Sequence, residues 1–241
     1  MGILWYTVTM VLGRVISMAD VHGDYDGVIR ILTKANLIDE NTNWIGNDTI
    51  LIQTGDVMDK GDQVGDVLEL FAKLKRQSNT VIMLMGNHEL MNLLGVFSHE
   101  KYRPFVRTFN TSAIIPVGSQ RILFSHAGFT KEFIPYMNDW VHEDHVLLWK
   151  NGPFWNRFFS LEPNETKVCE ELQQTLDLTH TTRMVIGHTV FPGVHTRCNG
   201  QLVLADVGFS RYYRGHPLVI EWLEDGWYEI IDLEPSVVVL F

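Results

Sequence analysis

Three short motifs rich in metal-ligating side chains recur along the first part of the chain. Asp20 and His22 form an Asp-x-His pair, Asp56 follows Gly55, and Asn87 lies in a Gly-Asn-His-Glu segment. Carboxylate, imidazole and amide groups suit borderline and hard divalent ions such as Mn, Fe and Zn. Two such ions promote hydrolysis by lowering the pKa of a water and by neutralising an anionic substrate. These residue types therefore favour a two-metal hydrolytic site, with Asp56 as the bridging ligand.

Each motif directly follows a hydrophobic run that predicts a buried strand. Five runs end in this way, at residues 14–19, 49–54, 80–85, 120–125 and 183–187. The ends of successive parallel strands meet at one edge of a sheet, so ligands distant in sequence are expected to converge. Turns also favour Gly, Asn, Asp and His, but five motifs in the same position make coincidence improbable. The predicted metal ligands are Asp20, His22, Asp56, Asn87, His126 and His188.

Helical periodicity alternates with the strands. Residues 26–37 and 62–76 each place their apolar side chains on one face, as an amphipathic helix does. This alternation predicts an α/β layered fold in which the metal site lies at the carboxyl ends of the strands. The motifs extend across most of the sequence, so we expect one domain over residues 1–241. Residues 97–113 and 131–178 carry no such motif and are predicted to form helical caps or walls of the substrate cleft.

Composition limits the classes of partner. The chain has 241 residues, 46% of them hydrophobic and 20% charged, and a formal net charge of −10. There is no basic run to displace counterions, so a nucleic-acid partner is not expected. An anionic substrate remains compatible with the charge, because two divalent ions would dominate the local field. Cys169 and Cys198 have no CxxC spacing, and we expect both to be reduced and structural.

The sequence gives mixed indications of compartment. Residues 3–12 are apolar but too short to span a membrane, and they predict a strand or a segment that covers the core. We expect no integral membrane span and a cytoplasmic location, or a secretory or membrane-associated one if a leader precedes residue 1. Oligomeric state is left open. Three N-x-[ST] triplets are a weak sign of secretion, at Asn47, Asn110 and Asn164.

The motifs resemble a known family, the calcineurin-like metallophosphoesterases, and within it the phosphoprotein phosphatase branch. The similar segments are DVHGD (20–24), GDVMDKG (55–61), GNHE (86–89), SHAG (125–128) and GHT (187–189). Three segments resemble the bacterial-like Shewanella-like protein phosphatases in particular, namely GNHELMNLLG (86–95), GPFWNR (152–157) and DVGFSRYY (206–213). The resemblance implies a layered α/β/β/α sandwich.

The resemblance also implies a role for each matching residue. One ion would be held by Asp20, His22 and Asp56, and the second by Asp56 together with Asn87, His126 and His188. His88 matches the family's general acid, and Asp59 matches the carboxylate that orients it. The implied reaction is hydrolysis of a phosphomonoester on a phosphoprotein by direct attack of a metal-bridging hydroxide.

The phosphate-binding residues depart from the family pattern. Lys60 stands where the family has an arginine, so the positive charge remains but the planar bidentate fork is lost. We expect weaker or less selective phosphate binding. Arg157 and Arg211 are candidates for further phosphate contacts, as is Asn87, although each arginine fits an ordinary surface ion pair equally well.

Two other functions remain open at this point. A nucleotide or polyphosphate hydrolase would use the same ligands, and a catalytically weak scaffold would keep the fold only for binding. The intact ligand positions and the intact pair of His88 and Asp59 argue against the scaffold, whereas Lys60 favours it. We therefore expect a metal-dependent phosphatase of phosphoserine, phosphothreonine or phosphotyrosine.

Overall fold

Two five-stranded sheets form the centre of the protein. The computed structural model describes residues 13–96, 99–137 and 150–232. The strands are β1 Val15–Met18, β2 Ile50–Gln53, β3 Val81–Met83, β4 Ser112–Val117, β5 Gln120–Ser125, β6 Arg183–Ile186, β7 His195–Arg197, β8 Leu202–Leu204, β9 Leu218–Leu223 and β10 Gly226–Ile231. The first sheet has the order β10-β9-β1-β2-β3, and the second has the order β4-β5-β6-β8-β7.

The strands that precede the predicted ligands are parallel and end together. β1 pairs with β2 and β2 with β3, so that Met18, Gln53 and Met83 lie side by side. In the second sheet, β5 pairs with β6 in the same way, and Ser125 lies beside Ile186. The loops that follow these strands therefore begin at the same edge of each sheet, as the sequence predicted.

Apolar residues fill the space between the two sheets and the space outside them. A cluster that includes Ile52, Val185 and Val203 lies between the sheets, where Phe124 packs edge-on against Trp222. Burial of such side chains stabilises the fold by about 1.5–3 kcal/mol each. Helices cover the outer faces of the sheets, namely α1 Tyr25–Lys34, α2 Val64–Gln77, α3 Asn87–Leu93, α4 Arg103–Val106, α5 Phe158–Leu161 and α6 Glu165–Thr179. The α/β/β/α arrangement is confirmed.

The two amphipathic helices form where the apolar periodicity placed them. In α1, Val28, Ile31 and Leu32 are buried, and the side chain of Asp24 caps the helix by accepting a hydrogen bond from the backbone of Gly27 at 3.0 Å. A capping carboxylate satisfies one of the N–H groups that the first helical turn leaves unpaired. In α2 the whole predicted apolar face is buried.

The predicted cap segments have mixed structure. Of the described residues, 99–113 contain a short 3₁₀ turn, α4 and the start of β4, whereas 131–137 and 150–178 contain a second 3₁₀ turn, α5 and most of α6. Val168, Leu172 and Leu176 of α6 are buried, so this helix belongs to the outer layer of the sandwich. A role of these segments as cleft walls stays a prediction. The strand predicted within residues 3–12 lies outside the described residues.

The expectation of two reduced cysteines was wrong. Cys169 in α6 and Cys198, which follows β7, form a disulfide with their Cα atoms 5.3 Å apart. Glu165 holds the two segments together, because its carboxylate accepts a hydrogen bond from the backbone of Cys198 at 2.8 Å and pairs with Arg197. Packing of α6 on the turn after β7 creates this proximity, which spacing along the chain does not reveal.

Among the described residues, no helix is both long enough and apolar enough to cross a membrane.

Candidate metal centre

Asp56 lies at the centre of a buried group of imidazoles. Its Oδ2 is 3.4 Å from His126 Nε2, 3.8 Å from His22 Nε2 and 3.9 Å from His88 Nε2. The residue itself is only 2% exposed. One carboxylate that faces imidazoles on several sides is placed to be shared between two ions, which is the arrangement that a two-metal site requires.

Two overlapping groups of side-chain atoms that could hold a metal ion meet at Asp56. The first contains His22, Asp56 and His88, the second contains Asp56, His126 and His188, and in each group the atoms lie within 4.8 Å of one another. Asn87 joins the second group, since its Oδ1 is 3.0 Å from His126 Nε2. The structure thus brings the predicted ligands from five loops to one place, although their roles as ligands stay a prediction.

Asp20 lies beside these groups and belongs to neither. Both of its carboxylate oxygens accept the backbone N–H of His188 at 3.1 Å, and Oδ1 is 4.0 Å from His126 Nδ1. Asp20 therefore joins the loop after β1 to the loop after β6, and its role as a metal ligand stays a prediction.

Backbone carbonyls orient two of the imidazoles. His22 Nδ1 donates to the carbonyl of Met58 at 2.9 Å, and His126 Nδ1 donates to the carbonyl of Thr54 at 3.0 Å. A hydrogen on Nδ1 leaves the lone pair on Nε2, which in both residues is the nitrogen that faces Asp56. In both rings, Nε2 is therefore the nitrogen that would bind a metal.

The loops reach this geometry through tight backbone conformations. His22, Asp56 and His188 have φ values of 42°, 55° and 68°, in the left-handed region that residues other than glycine rarely adopt. Such strain persists where the surrounding structure enforces it, often at functional sites. Gly86 and Gly187 are needed for another reason: a Cβ on either would lie 2.2 Å from a carboxylate oxygen, of Asp56 and Asp20 respectively.

The buried carboxylate and imidazoles of the centre shift one another's pKa values. Burial alone would raise the pKa of Asp56, but His126, His88 and His22 together hold it well below its usual range. Burial would lower the pKa of His126, yet the charges of Asp56 and Asp20 raise it to about 10. Burial and the nearby His126 lower the pKa of His188 to about 3, so that ring stays neutral and able to bind a metal. This mixed N/O donor set fits divalent ions.

His88 and Asp59 form the predicted acid–base pair. His88 Nδ1 is 2.8 Å from Asp59 Oδ2, and the other Asp59 oxygen is 3.7 Å from His99 Nε2. Burial lowers the pKa of His88, but the hydrogen bond to Asp59 and the charge of Asp56 outweigh it, so that the net pKa is raised. A raised pKa keeps the imidazole protonated near neutral pH, as a general acid requires.

Glu89 has a structural role that the sequence motif did not reveal. Its carboxylate is completely buried and accepts four backbone N–H groups: Oε2 those of Asp56 and Gly86 at 2.7 and 2.9 Å, and Oε1 those of Val57 and Met58 at 2.9 and 3.2 Å. Burial and the charge of Asp56 raise its pKa to about 7, and the N–H groups oppose that shift. Glu89 thereby joins the loop of Asp56 to the loop of Asn87 and His88.

Glu89→Gln is expected to reduce metal affinity by roughly 10- to 100-fold, the effect usual for residues that orient ligands. The amide nitrogen of glutamine would replace one carboxylate oxygen, so two backbone N–H groups would face a donor and lose their acceptor. The unsatisfied groups would displace the loop of Asp56. Calorimetric titration with the metal ion measures the metal affinity of each variant. Glu69→Gln, at an exposed residue paired with Lys101, is the matched control. Unchanged affinity in Glu89→Gln would contradict the role of this carboxylate.

The two arginines predicted to contact phosphate lie in different environments. Arg157 Nη1 donates to the carbonyl of His188 at 3.2 Å and to Thr189 Oγ1 at 2.8 Å, which places it beside the metal centre. Arg211 Nη2 instead contacts Asp26 at 3.1 Å and Gln63 at 2.8 Å.

Lys60 is directed towards an aromatic ring. Its Nζ lies 5.7 Å from the centre of the Tyr212 ring. Both residues line a groove of about 390 Å³ together with Arg211 and Ser210. The cation of Lys60 is therefore part of a groove formed by the loops that follow β1, β2 and β8.

Two residues of the DVGFSRYY segment lie beside the centre, although the sequence analysis gave neither of them a role. Asp206 is buried. Burial raises the pKa of Asp20, and the charge of Asp206 is the next largest cause of that rise. Asp206 follows β8, so the rule that ligands follow hydrophobic strands would have identified it. Tyr213 places its ring 5.3 Å from that of His22. Its position had no comparable signal, because it depends on how the loop after β8 folds back.

Fold and site together define a class of protein, and comparisons agree with it. The family model of calcineurin-like phosphoesterases matches residues 13–224, so the chain belongs to the calcineurin-like phosphoesterase family. This family uses a dimetal centre.

Within the family, the chain is similar to Shewanella-like protein phosphatase 1 of Plasmodium berghei, with 28% identity over 83% of this chain and 68% of that protein. It is also similar in structure to the cold-active protein-tyrosine phosphatase of a psychrophilic Shewanella species, with a TM-score of 0.70 and 25% identity over 92% of this chain and 80% of the other. A protein serine/threonine phosphatase from Saccharomyces cerevisiae shares the fold, with a TM-score of 0.66 and 16% identity over 93% of this chain and 82% of the other. The chain is accordingly a phosphatase of this superfamily, resembling the Shewanella-like protein phosphatases.

Proposed function

We propose that the protein is a dimetal phosphomonoesterase that removes phosphate from phosphoproteins. The observation that carries the proposal is the shared carboxylate of Asp56 among three imidazoles, with the pair of His88 and Asp59 at its edge. The names of its relatives, which are phosphatases of proteins, support the choice of substrate class. Mn, Fe and Zn all suit the donor set.

Each residue of the site has a separate part in the proposed reaction. When bound, two divalent ions supply neutralisation of the phosphoryl oxygens and a water of lowered pKa. His88 donates the proton that the leaving oxygen of the substrate requires, and Asp59 keeps its ring in the donating orientation. Arg157 donates to a phosphate oxygen in this proposal, because its guanidinium lies beside His188. No residue of the chain becomes phosphorylated.

The assay that tests this proposal compares three substrates in the presence of Mn²⁺. These are a phosphoserine peptide, a phosphotyrosine peptide and a diadenosine polyphosphate. We expect turnover of at least one phosphopeptide and a much lower kcat/KM for the diadenosine compound. Exclusive turnover of the diadenosine compound would replace the proposal with a nucleotide hydrolase. No turnover of any substrate, with metal bound, would support a scaffold.

Arg157→Ala is expected to raise KM for the phosphopeptide by roughly 10-fold or more, because a hydrogen bond to a charged group contributes about 1.5–3 kcal/mol. Arg211→Ala is the matched control, since Asp26 and Gln63 already engage that guanidinium. Steady-state kinetics with one phosphopeptide measure both variants. A larger increase in KM for Arg211→Ala would assign the phosphate contact to Arg211 instead.

A further inference from the structure

The disulfide between Cys169 and Cys198 bears on the compartment in which the protein folds. Disulfides form and persist in oxidising compartments and are rare where glutathione and thioredoxin keep thiols reduced. Cys198 is 6% exposed, and its backbone is tied to Glu165. The bond therefore lies at the junction between α6 and the turn after β7, and neither cysteine belongs to the groups of side chains around Asp56.

Exposed asparagines in N-x-[ST] triplets provide a second, independent observation. In the described residues, Asn47, Asn110 and Asn164 are all exposed. Asn-linked glycans are bulky and sit on protein surfaces, so an acceptor that became buried on folding would be incompatible with this modification. The exposure of all three asparagines is therefore compatible with the weak sequence indication of secretion.

Asn47 has the geometry of an open acceptor. It lies in the loop before β2, with a φ of 51°, and its carbonyl accepts a hydrogen bond from Trp44 Nε1 at 3.2 Å. The site residue Asp56 follows the opposite end of β2. An oligosaccharide on Asn47 would therefore project from the edge of the sheet remote from the metal centre.

Asn164 combines an acceptor site with a helix cap. Its Oδ1 accepts a hydrogen bond from the backbone of Lys167 at 3.1 Å, which caps α6. Only the amide oxygen takes part, so the amide nitrogen can carry a sugar without loss of the cap. The next residue in the triplet is Glu165, which binds the backbone of Cys198 beside the disulfide.

Asn110 differs from these two positions. Its backbone pairs with Met83 and Met85 at the end of β3, which is the edge of the sheet where the metal centre lies. The hydroxyl of Thr111, the middle residue of the triplet, donates to the carbonyl of Met137. A glycan on Asn110 would stand next to the site, so we exclude this position.

From these observations we infer that the protein matures in an oxidising secretory compartment and carries N-linked glycans on Asn47 and Asn164. The inference is independent of the proposed substrate and replaces the expectation of a cytoplasmic location. In each glycosylation, the amide nitrogen forms a bond to the anomeric carbon of a lipid-linked oligosaccharide. The bond from that carbon to the pyrophosphate oxygen breaks, the lipid pyrophosphate leaves, and the amide loses one proton. The two thiols lose two protons and two electrons to a disulfide oxidoreductase, which is reduced to its dithiol.

Mass spectrometry of the protein isolated from its own organism tests both parts. Free thiols are alkylated without reduction, and peptide-N-glycosidase then converts each glycosylated asparagine to aspartate in ¹⁸O-labelled water. We expect labelled aspartate at positions 47 and 164 and a peptide pair joined through Cys169 and Cys198. Label at one of these positions would support the compartment and overturn the other site. Label at Asn110 alone would support the compartment and overturn both proposed glycan positions. No label at any of the three asparagines, or alkylation of both cysteines, would overturn the inference.

Substitutions expressed in the same cells provide matched controls. Asn47→Asp tolerates the left-handed backbone and Asn164→Asp retains the helix cap, but neither offers an amide nitrogen. Because each variant lacks one glycan, it should migrate faster by one step than the unaltered protein. Thr166→Ser keeps the triplet, so this variant should keep its glycan and migrate like the unaltered protein. Equal mobility of the unaltered protein and both aspartate variants would contradict glycosylation at these positions.

Discussion

His88→Asn should lower turnover of a phosphoserine peptide by roughly 10²-fold or more while leaving metal content unchanged. The alkoxide of serine is a poor leaving group, so its departure depends on a proton from His88. The hydrogen bond to Asp59 and the charge of Asp56 raise the pKa of this imidazole against the effect of burial. Asparagine retains a side chain of similar polarity and the backbone N–H that donates to Asp56 Oδ1 at 2.9 Å, but it carries no transferable proton.

The dependence on the leaving group distinguishes loss of an acid from general damage to the site. An aryl phosphate with an acidic phenol needs little protonation, so His88→Asn should impair its hydrolysis far less than that of the serine ester. Elemental analysis of the purified variant establishes that metal content is retained. If the serine ester and the aryl phosphate lost activity equally, His88 would act by some means other than proton donation.

Two patterns in the sequence predict most of the fold: apolar runs predict the strands, and helical periodicity predicts the helices. The runs before Asp20, Asp56 and Asn87 are mostly apolar and do not alternate with polar residues, as expected for parallel strands buried on both faces. The strands observed at Val15–Met18, Ile50–Gln53 and Val81–Met83 fall within those runs. Because parallel strands end at one edge, the positions of the ligands also followed from the sequence once the strands were recognised.

What the sequence could not supply depends on contacts between distant segments. Cys169 and Cys198 are joined because a helix packs on a turn, and no spacing rule encodes that packing. The four N–H groups that face Glu89 come from two loops, so its role is visible only when both are folded. Arg211 and Arg157 look alike in sequence, and only their neighbours separate an ion pair from a group beside the metal centre.

Asp56→Asn is expected to abolish detectable turnover and to lose bound metal, the largest effect of any single substitution in the site. Asp56 Oδ2 is the atom that faces His126, His22 and His88, so both ions would depend on it. Asparagine removes the negative charge and presents either a weaker oxygen or an amide N–H to the ions. Elemental analysis and kcat measure these losses, and Asp62→Asn, at an exposed carboxylate of the neighbouring groove, is the control.

Thermal unfolding gives a second measure of Asp56→Asn that does not depend on activity. A ligand that binds the folded state alone stabilises it by RT ln(1 + [L]/Kd), so added Mn²⁺ should raise the Tm of the unaltered protein and of Asp62→Asn. The Tm of Asp56→Asn should not respond to Mn²⁺ over the same range. Since His88→Asn should keep the response while losing turnover, the two substitutions separate metal binding from proton donation. Full metal content in Asp56→Asn, with an unaltered Tm response, would show that the ions are held without a shared carboxylate.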